Sequence, residues 1–525
     1  MRLKKLLSVF LSLIICFTCF VGCNEVKNYI LYMELNEKPD TLDPQLANGN
    51  TEELIVKNLF EGLMRKDESG KIVTGAAETY EISDNKLTYT FKIRDNAKWS
   101  NGDDLTAEDF VFAFNRAVNP KTKSPYVASL YSIIGAKPIG SGENTSLGVT
   151  ALNNKTLQIK LKTQNPDFLE TLTTAICMPC NKKVFEKAEG QYGKVKEHIV
   201  SNGSYRVRFW TKDGDFSLRL NKNEEYSGDF ASEANAIIFS AGDTKGRAAR
   251  IDKENLDLGF IDFSEATNQS NLFTFEKICY ALVINKNSPI GSTAFRNAYS
   301  LAIHRNRLKN ELGKSLTETS LILPSSILLN GNILSKKIKS YAPSIYNPDE
   351  AYRLYLNAVK ELGKPPTSTE IVYYGGGEVT QMARLVAENF QQAFGAVVNL
   401  KLANSEKDLL SAVESQNYQL AIIPITAQNN SVNDFLEIFT STSKQNIYGF
   451  KNKKYDAEVK KITPALSEAD IIKTTENALQ LIMQDLSIIP ICYSTEAFAY
   501  GKSFSVPTIS PYGGVVDMAL VRKIN

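Results

Sequence analysis

Apolar and polar positions alternate along Leu87 to Arg94, "LTYTFKIR": Leu87, Tyr89, Phe91 and Ile93 fall on one side, Thr88, Thr90, Lys92 and Arg94 on the other. A period of two predicts a half-buried strand. The "SNGD" that follows reads as a turn. Thr106, with Asp109 three positions on, predicts a capped helix start, and Phe110, Ala113 and Ala117 then share one helical face that Phe114 widens. Asn119-Pro120 predicts its end. The tryptophan and acidic residues of "AKWSNGDDLTAEDFVFAFNRAVNP" (97–120) resemble an active site in density, yet each acid has a turn, cap or helix-dipole task. The stretch reads as scaffold. "TLQIKLK", with Leu157, Ile159 and Leu161 facing together, adds another strand, so the first third predicts strand pairs with short turns.

The pattern changes after about residue 290. Asn347 is placed to cap a helix that has Pro348 at its first position and Gly363 just past its end, with Ala351, Tyr355, Ala358 and Leu362 as an apolar stripe. A strand ("EIVYY"), a helix (Val379 to Phe394), a strand ("AVVNLKLA"), a helix (Glu406 to Val413) and a strand ("YQLAIIPI") follow. Strands alternating with helices of this length predict right-handed βαβ units and a sheet covered on both faces. The expected class is therefore mixed α/β with at least two lobes, and ligands in such lobes sit at the carboxyl ends of strands.

Length and composition narrow this reading. A chain of 525 residues needs two or three domains, and a formal charge of +2 calls for neither nucleic acid nor an acidic surface as partner. Basic "MRLKK", an apolar run from Leu6 to Val21 and "FVGC" predict a signal peptide over 1–23, with Cys23 as a lipidation site. Phe20 departs from the usual Leu of such a cleavage site, and a plain secreted chain is the alternative. Of seven cysteines, Cys177, Cys180, Cys279 and Cys492 lie beyond the leader. "CMPC" (177–180) is open to a redox dithiol, half a zinc site or two small apolar residues at a strand end; the third reading is favoured, since the only histidines are the remote His198 and His304. His304 is expected on a helix, as a surface or core residue. "YYGGGE" (373–378) is a glycine turn opening a helix, fit for a tight turn beside a ligand or for an anion, and it lacks the lysine and spacing of a nucleotide fingerprint. Nothing marks a nucleophile, metal site or cofactor motif, so no enzyme and no cofactor are expected.

The order of motifs resembles the bacterial extracellular solute-binding proteins of the oligopeptide and dipeptide type (solute-binding protein family 5), the capture lipoproteins of ABC importers. The pieces are "PDTLDP" (39–44), "NLFEGL" (58–63), "FKIRDNAKWSNGDDLTAEDFVFAFNR" (91–116), "SPY" (124–126), "NGSYRVRFW" (202–210), "FRNAYSLAIHR" (295–305), "NIYGFKNKKYD" (446–456) and "IIPICYSTEAF" (488–498). They cover nearly all of the chain beyond the leader. The resemblance implies a periplasmic-binding-protein-like Venus flytrap (class II, cluster C) of three domains and two hinge strands. Domain I would comprise 24–57, 184–282 and 494–525, domain II 58–183 and domain III 283–493, with links between lobes near 280–287 and 488–493.

It also implies a monomer that takes a small, peptide-like solute between domains I and III, as an added β-strand. The solute would pass to ABC permease subunits, and a lipid anchor would hold the protein on the extracytoplasmic side of the cell membrane. The expected contacts are Lys38, Pro39, Tyr126, Tyr374, Gly376, Ile425, Gln428 and Asn429. Peptide-binding members place a tryptophan and an aspartate where Ile425 and Gln428 stand in "PITAQNNSVNDFLE" (424–437). Gln428 has no charge for a peptide ammonium, which leaves Asp434 or Glu437 as replacements, or a ligand uncharged at that end. A non-peptide solute, with Tyr373 and Tyr374 as stacking residues, and a sensor lipoprotein without transport are the alternatives.

Overall fold

The structure is a computed structural model that describes residues 28–524 apart from 213, 254–255, 270, 314, 330–331, 340–344, 427–430, 463–466, 508 and 510–515. Cys23, Gln428 and Asn429 therefore lie outside the described residues.

The first lobe begins with β1 (Ile30–Leu35), α1 (Asn50–Leu59) and the short β2 (Met64–Lys66). A separate antiparallel sheet follows, built from β3 (Ala77–Ile82), β4 (Thr88–Ile93), β5 (Val149–Asn153) and β6 (Thr156–Lys160) in the order β3-β4-β6-β5. The alternation predicted for β4 is present: Tyr89, Phe91 and Ile93 are buried. Against this sheet lies α2 (Ala107–Val118), whose start is capped as expected, with the Thr106 amide donating to Asp109 Oδ2 at 2.9 Å. The same oxygen accepts from Trp99 Nε1 at 3.2 Å, and Trp99 is fully buried. The dense acidic stretch is scaffold, as its periodicity indicated.

After the one-turn helix α3 (Phe168–Thr171), the chain returns to the first sheet through β7 (Tyr205–Thr211), β8 (Ser217–Lys222), β9 (Ala236–Ala241) and β10 (Leu258–Ile261). A long strand, β11 (Leu272–Ile284), then carries it into the second lobe. That lobe holds α4 (Thr293–Ala302), α5 (Pro348–Leu362), β12 (Thr369–Tyr373), α6 (Gly377–Phe394), β13 (Val398–Leu402), β14 (Leu420–Thr426) and α7 (Val432–Glu437). β15 (Ile488–Tyr500) runs back to the first lobe. One mixed sheet spans both lobes in the order β13-β12-β14-β11-β15-β10-β1-β9-β8-β7.

Helix α5 follows its sequence signals closely. The Asn347 side chain accepts from the Glu350 amide at 3.1 Å, Pro348 takes the first position, and Gly363 ends the helix at φ 81°. β12 pairs in parallel with β13 and β14, as βαβ units require. Residues of β11 alternate between two cores: Cys279, Ala281 and Val283 face one, Leu282 and Ile284 the other. The expected covering of both faces stops at the edge, however. Leu400 and Leu402 of β13, the edge strand, are 38% and 56% exposed.

The expected link segments 280–284 and 488–493 lie on β11 and β15, the two strands that run between the lobes, and there Tyr280–Val283 pair with β14 on one side and β15 on the other. β14 flanks β11 from Ile278 onward, and β10 flanks β15 only from Ala497. Between these limits the strand Leu316–Glu318 flanks β15 at Cys492–Ser494, the Thr495 amide donates to the Ser315 carbonyl at 2.7 Å, and a register shift falls at Glu276/Ile278 of β11. A break in the ladder is where bending is easiest. An apolar extended run announces burial, and here burial means the middle of a sheet.

Candidate functional site

On the first lobe, the loop after β1 folds over the start of α1. The Asp40 amide donates to Glu52 Oε1 at 2.9 Å, so Pro39, which is buried, lies against the first turn of that helix. Tyr126, in the segment after α2, reaches the same turn. Its hydroxyl pKa is raised by burial and by Glu53, and it is half-buried beside the Gly49 backbone. Lys38 is exposed and turns the other way, donating through Nζ to the Gly214 carbonyl at 3.2 Å. A hollow opens beside this loop, lined by Leu35, Glu37, Asn50, Phe260 and, from β15, Glu496. Another lies where Phe60, Lys66, Met178 and Ile509 of the first lobe meet Leu328 of the second. Both are partly open to solvent, as a cleft between lobes is.

On the second lobe, β12 ends at Tyr373, and Gly376 caps α6. Tyr374 is 39% exposed, whereas Tyr373 is buried in the core and has no face to offer a stacking partner. Glu378 in the first turn of α6 accepts from the Ser315 hydroxyl and has its carboxyl raised by burial and by Asp262 of the first lobe. That coupling places the α6 start at the seam between lobes. Ile425 is 1% exposed within a core cluster, opposite Cys279 on β11. Its side chain therefore packs inward, and only its backbone is left to meet a ligand. Alternation along β14 decides this: a strand residue facing the core cannot also face the cleft.

Other expectations resolve simply. Cys177 and Cys180 are both buried, and burial pushes their thiols up to about 12 and about 11, which suits packing rather than redox or metal chemistry. His304 lies between helices rather than on one; it caps the helix Arg305–Glu311, accepting from the Arg307 amide at 3.2 Å, and its ring stacks on Tyr346.

The sequence reading missed the contact between lobes. Ser431, which caps α7, donates to Asp167 Oδ2 at 2.5 Å across 264 positions. Lys66 and Glu170 pair beside it at 2.5 Å. Nothing in a linear pattern joins residues so far apart.

The family described as "Bacterial extracellular solute-binding proteins, family 5 Middle" matches residues 71–446. The chain belongs to this family. Among curated members, it is 28% identical over 496 residues to the dipeptide-binding protein of Lactococcus lactis subsp. cremoris, covering 89% of this chain and 88% of that one. It is 26% identical over 476 residues to the periplasmic oligopeptide-binding protein OppA of Haemophilus influenzae, with 86% of each covered. A probable deoxycholate-binding periplasmic protein, YgiS of Escherichia coli, is equally near at 28% over 479 residues, covering 87% and 86%. Among solved structures, the unliganded open form of the murein tripeptide-binding protein MppA superposes with a TM-score of 0.78 at 22% identity, covering 95% of this chain and 98% of that one. Haemophilus influenzae OppA in complex with RPPGFSPFR gives 0.71 at 24%, covering 95% and 99%. The periplasmic-binding-protein fold of this family 5 protein is thus established. No helix among the described residues is long and apolar enough to cross a membrane.

Proposed function

We propose that this chain is the ligand-capturing component of an ABC importer and takes peptides or peptide-like solutes into the cleft between its two lobes. The observation that carries the reading is the family match over residues 71–446 on a chain whose lobes are joined by two long paired strands with a register shift at Glu276/Ile278. The curated relatives named for dipeptides and oligopeptides supply the ligand class. Pro39, Tyr126, Tyr374 and Gly376 are the described contacts, and Gln428 and Asn429 complete them. Captured solute passes to permease subunits. The protein acts as a monomer on the extracytoplasmic side, tethered through lipid on Cys23, and performs no catalysis.

A second reading, a non-peptide solute, is favoured by two observations. Gln428 stands where peptide binders carry the ammonium-binding aspartate, and YgiS, with a steroid acid in its name, is as near in sequence as the dipeptide-binding relative. Native mass spectrometry on the chain from residue 24 onward, purified without denaturation, separates the two, because a closed cleft releases its ligand slowly. A series of adducts that fragment as peptides supports the first reading. One discrete non-peptide mass overturns it in favour of the second.

A further inference from the structure

Ser431 at the start of α7 donates to Asp167 of the first lobe, and this contact sits among carboxylates. From the second lobe, Asp434 and Glu437 of α7 face Asp167; from its own helix α3, Glu170 does. The nearest cation is Lys66 of β2, paired with Glu170 at 2.5 Å. Behind it, Lys57 and Glu53 of α1 stand 3.8 Å apart and offset one another. Asp434, Glu170 and Glu437 thus all act as like charges on Asp167 where the lobes meet. Bringing like charges together and removing water from them opposes ionisation of at least one.

We propose that this contact is a proton-controlled clasp between the lobes, held together in acid and released as the medium turns alkaline. Burial first, and then Asp434 and Glu170 in turn, push the Asp167 carboxyl up to about 7 in the joined arrangement. When the lobes part, water returns to Asp167 and its affinity for a proton falls towards the ordinary value of 3.8. The sign follows from linkage: the joined arrangement binds the proton more tightly, so it is favoured below the parted-state value and loses that advantage as pH rises through about 7. One proton shifts the joined-to-parted ratio by at most about tenfold per pH unit in that window. Ser431 keeps a hydrogen bond in both forms, since its hydroxyl donates to the carboxylate and accepts from the acid. The ladder break at Glu276/Ile278 gives the lobes the freedom to respond.

The clasp does not depend on ligand identity, so it is tested without one. Small-angle X-ray scattering on the chain from residue 24, at pH 5.5 and pH 8.5, reads the separation of the lobes as a radius of gyration. The expected result is a larger radius at pH 8.5, with a midpoint near neutrality. Asp167→Asn, which cannot ionise, stays compact at both pH values, and Glu437→Gln, which removes one of the charges that raise Asp167, moves the midpoint to lower pH. Equal radii for the unmodified chain overturn the clasp, as does an unchanged response in Asp167→Asn. Should that variant misfold, an unmoved midpoint in Glu437→Gln overturns it instead. A chain that responds to pH yet carries no peptide in the mass spectrometer fails the transport reading alone.

Discussion

Two signature segments far apart in sequence, "PDTLDP" and "FNR", meet in the buried ion pair of Asp43 and Arg116, whose side chains are 2% and 8% exposed. Arg116 also donates to Gln45 Oε1 at 2.7 Å, and its guanidinium lies 4.4 Å from the Phe185 ring centre. Gln45 in turn donates to the Met178 carbonyl at 2.9 Å, so one cation ties the loop after β1 to α2 and to the segment after α3. Replacing Arg116 by Met keeps the volume and strands the carboxylate. Removing one partner of a buried pair costs about 3–5 kcal/mol. Asp43→Asn/Arg116→Met leaves no stranded charge and should recover at least half of that loss. Urea unfolding reads the effect where it occurs, because both tryptophans, Trp99 and Trp210, belong to the first lobe. The single variant should also respond to pH. With Arg116 gone, the folded state raises the Asp43 carboxyl above its unfolded value, so the variant is most stable in acid and weakens as pH rises through the folded-state value. A loss below about 1 kcal/mol in the single variant, or a double variant no better than the single, would refute the reasoning.

Three further outcomes follow from single features. Native protein from residue 24 should leave Cys177 and Cys180 unreacted with Ellman's reagent at pH 8, and denaturant should expose them together with Cys279 and Cys492, because all four are buried. Gly363→Ala should cost about 1 kcal/mol in urea unfolding; the added Cβ would touch nothing within 4 Å, so the loss isolates the strain of φ 81°. Leu402→Lys should leave stability within about 0.5 kcal/mol and lower aggregation measured by light scattering, since it charges an exposed edge strand.

The elements of this fold were legible where local chemistry determines them. The Asn347–Pro348 start and Gly363 stop of α5, the alternation of β4 and the box at Thr106 and Asp109 rest on interactions within a few residues, and all appear as expected. The point at which the links between lobes bend is not local in this sense. Hydrophobicity along 280–284 and 488–493 reports burial, whereas a bend is set by where the pairing of strands shifts, and that is a property of the assembled sheet. His304 shows the same limit on a smaller scale: its neighbours suggest a continuous helix, but a cap between two helices satisfies the local pattern too.

The motifs that reveal the family explain why its ligand stayed hidden. Glu61 of "NLFEGL" accepts from Arg94 of "FKIRD" at 2.7 Å and exchanges backbone hydrogen bonds with the Asn202 side chain of "NGSY", at 3.1 and 2.8 Å. Arg296 of "FRNAY" donates to the Asp485 and Gly291 carbonyls at 2.8 and 2.6 Å. Together with Asp43 and Arg116, these residues join segments far apart in the sequence. Buried polar partners cannot change singly without stranding a group, so they hold a recognisable pattern while the fold serves different solutes. The cleft has no such constraint. A ligand bound through backbone groups and roomy pockets leaves side chains such as Tyr374 and Gln428 open to replacement, and their identity says little until their surroundings are known. Ile425 makes the point from the other side: counting from Phe435 places it at a family contact position, yet the pleat of β14 buries its side chain at 1% exposure. In this protein the polar residues that could be named from the sequence hold the lobes in shape, and what passes between the lobes is decided by residues with no signature of their own.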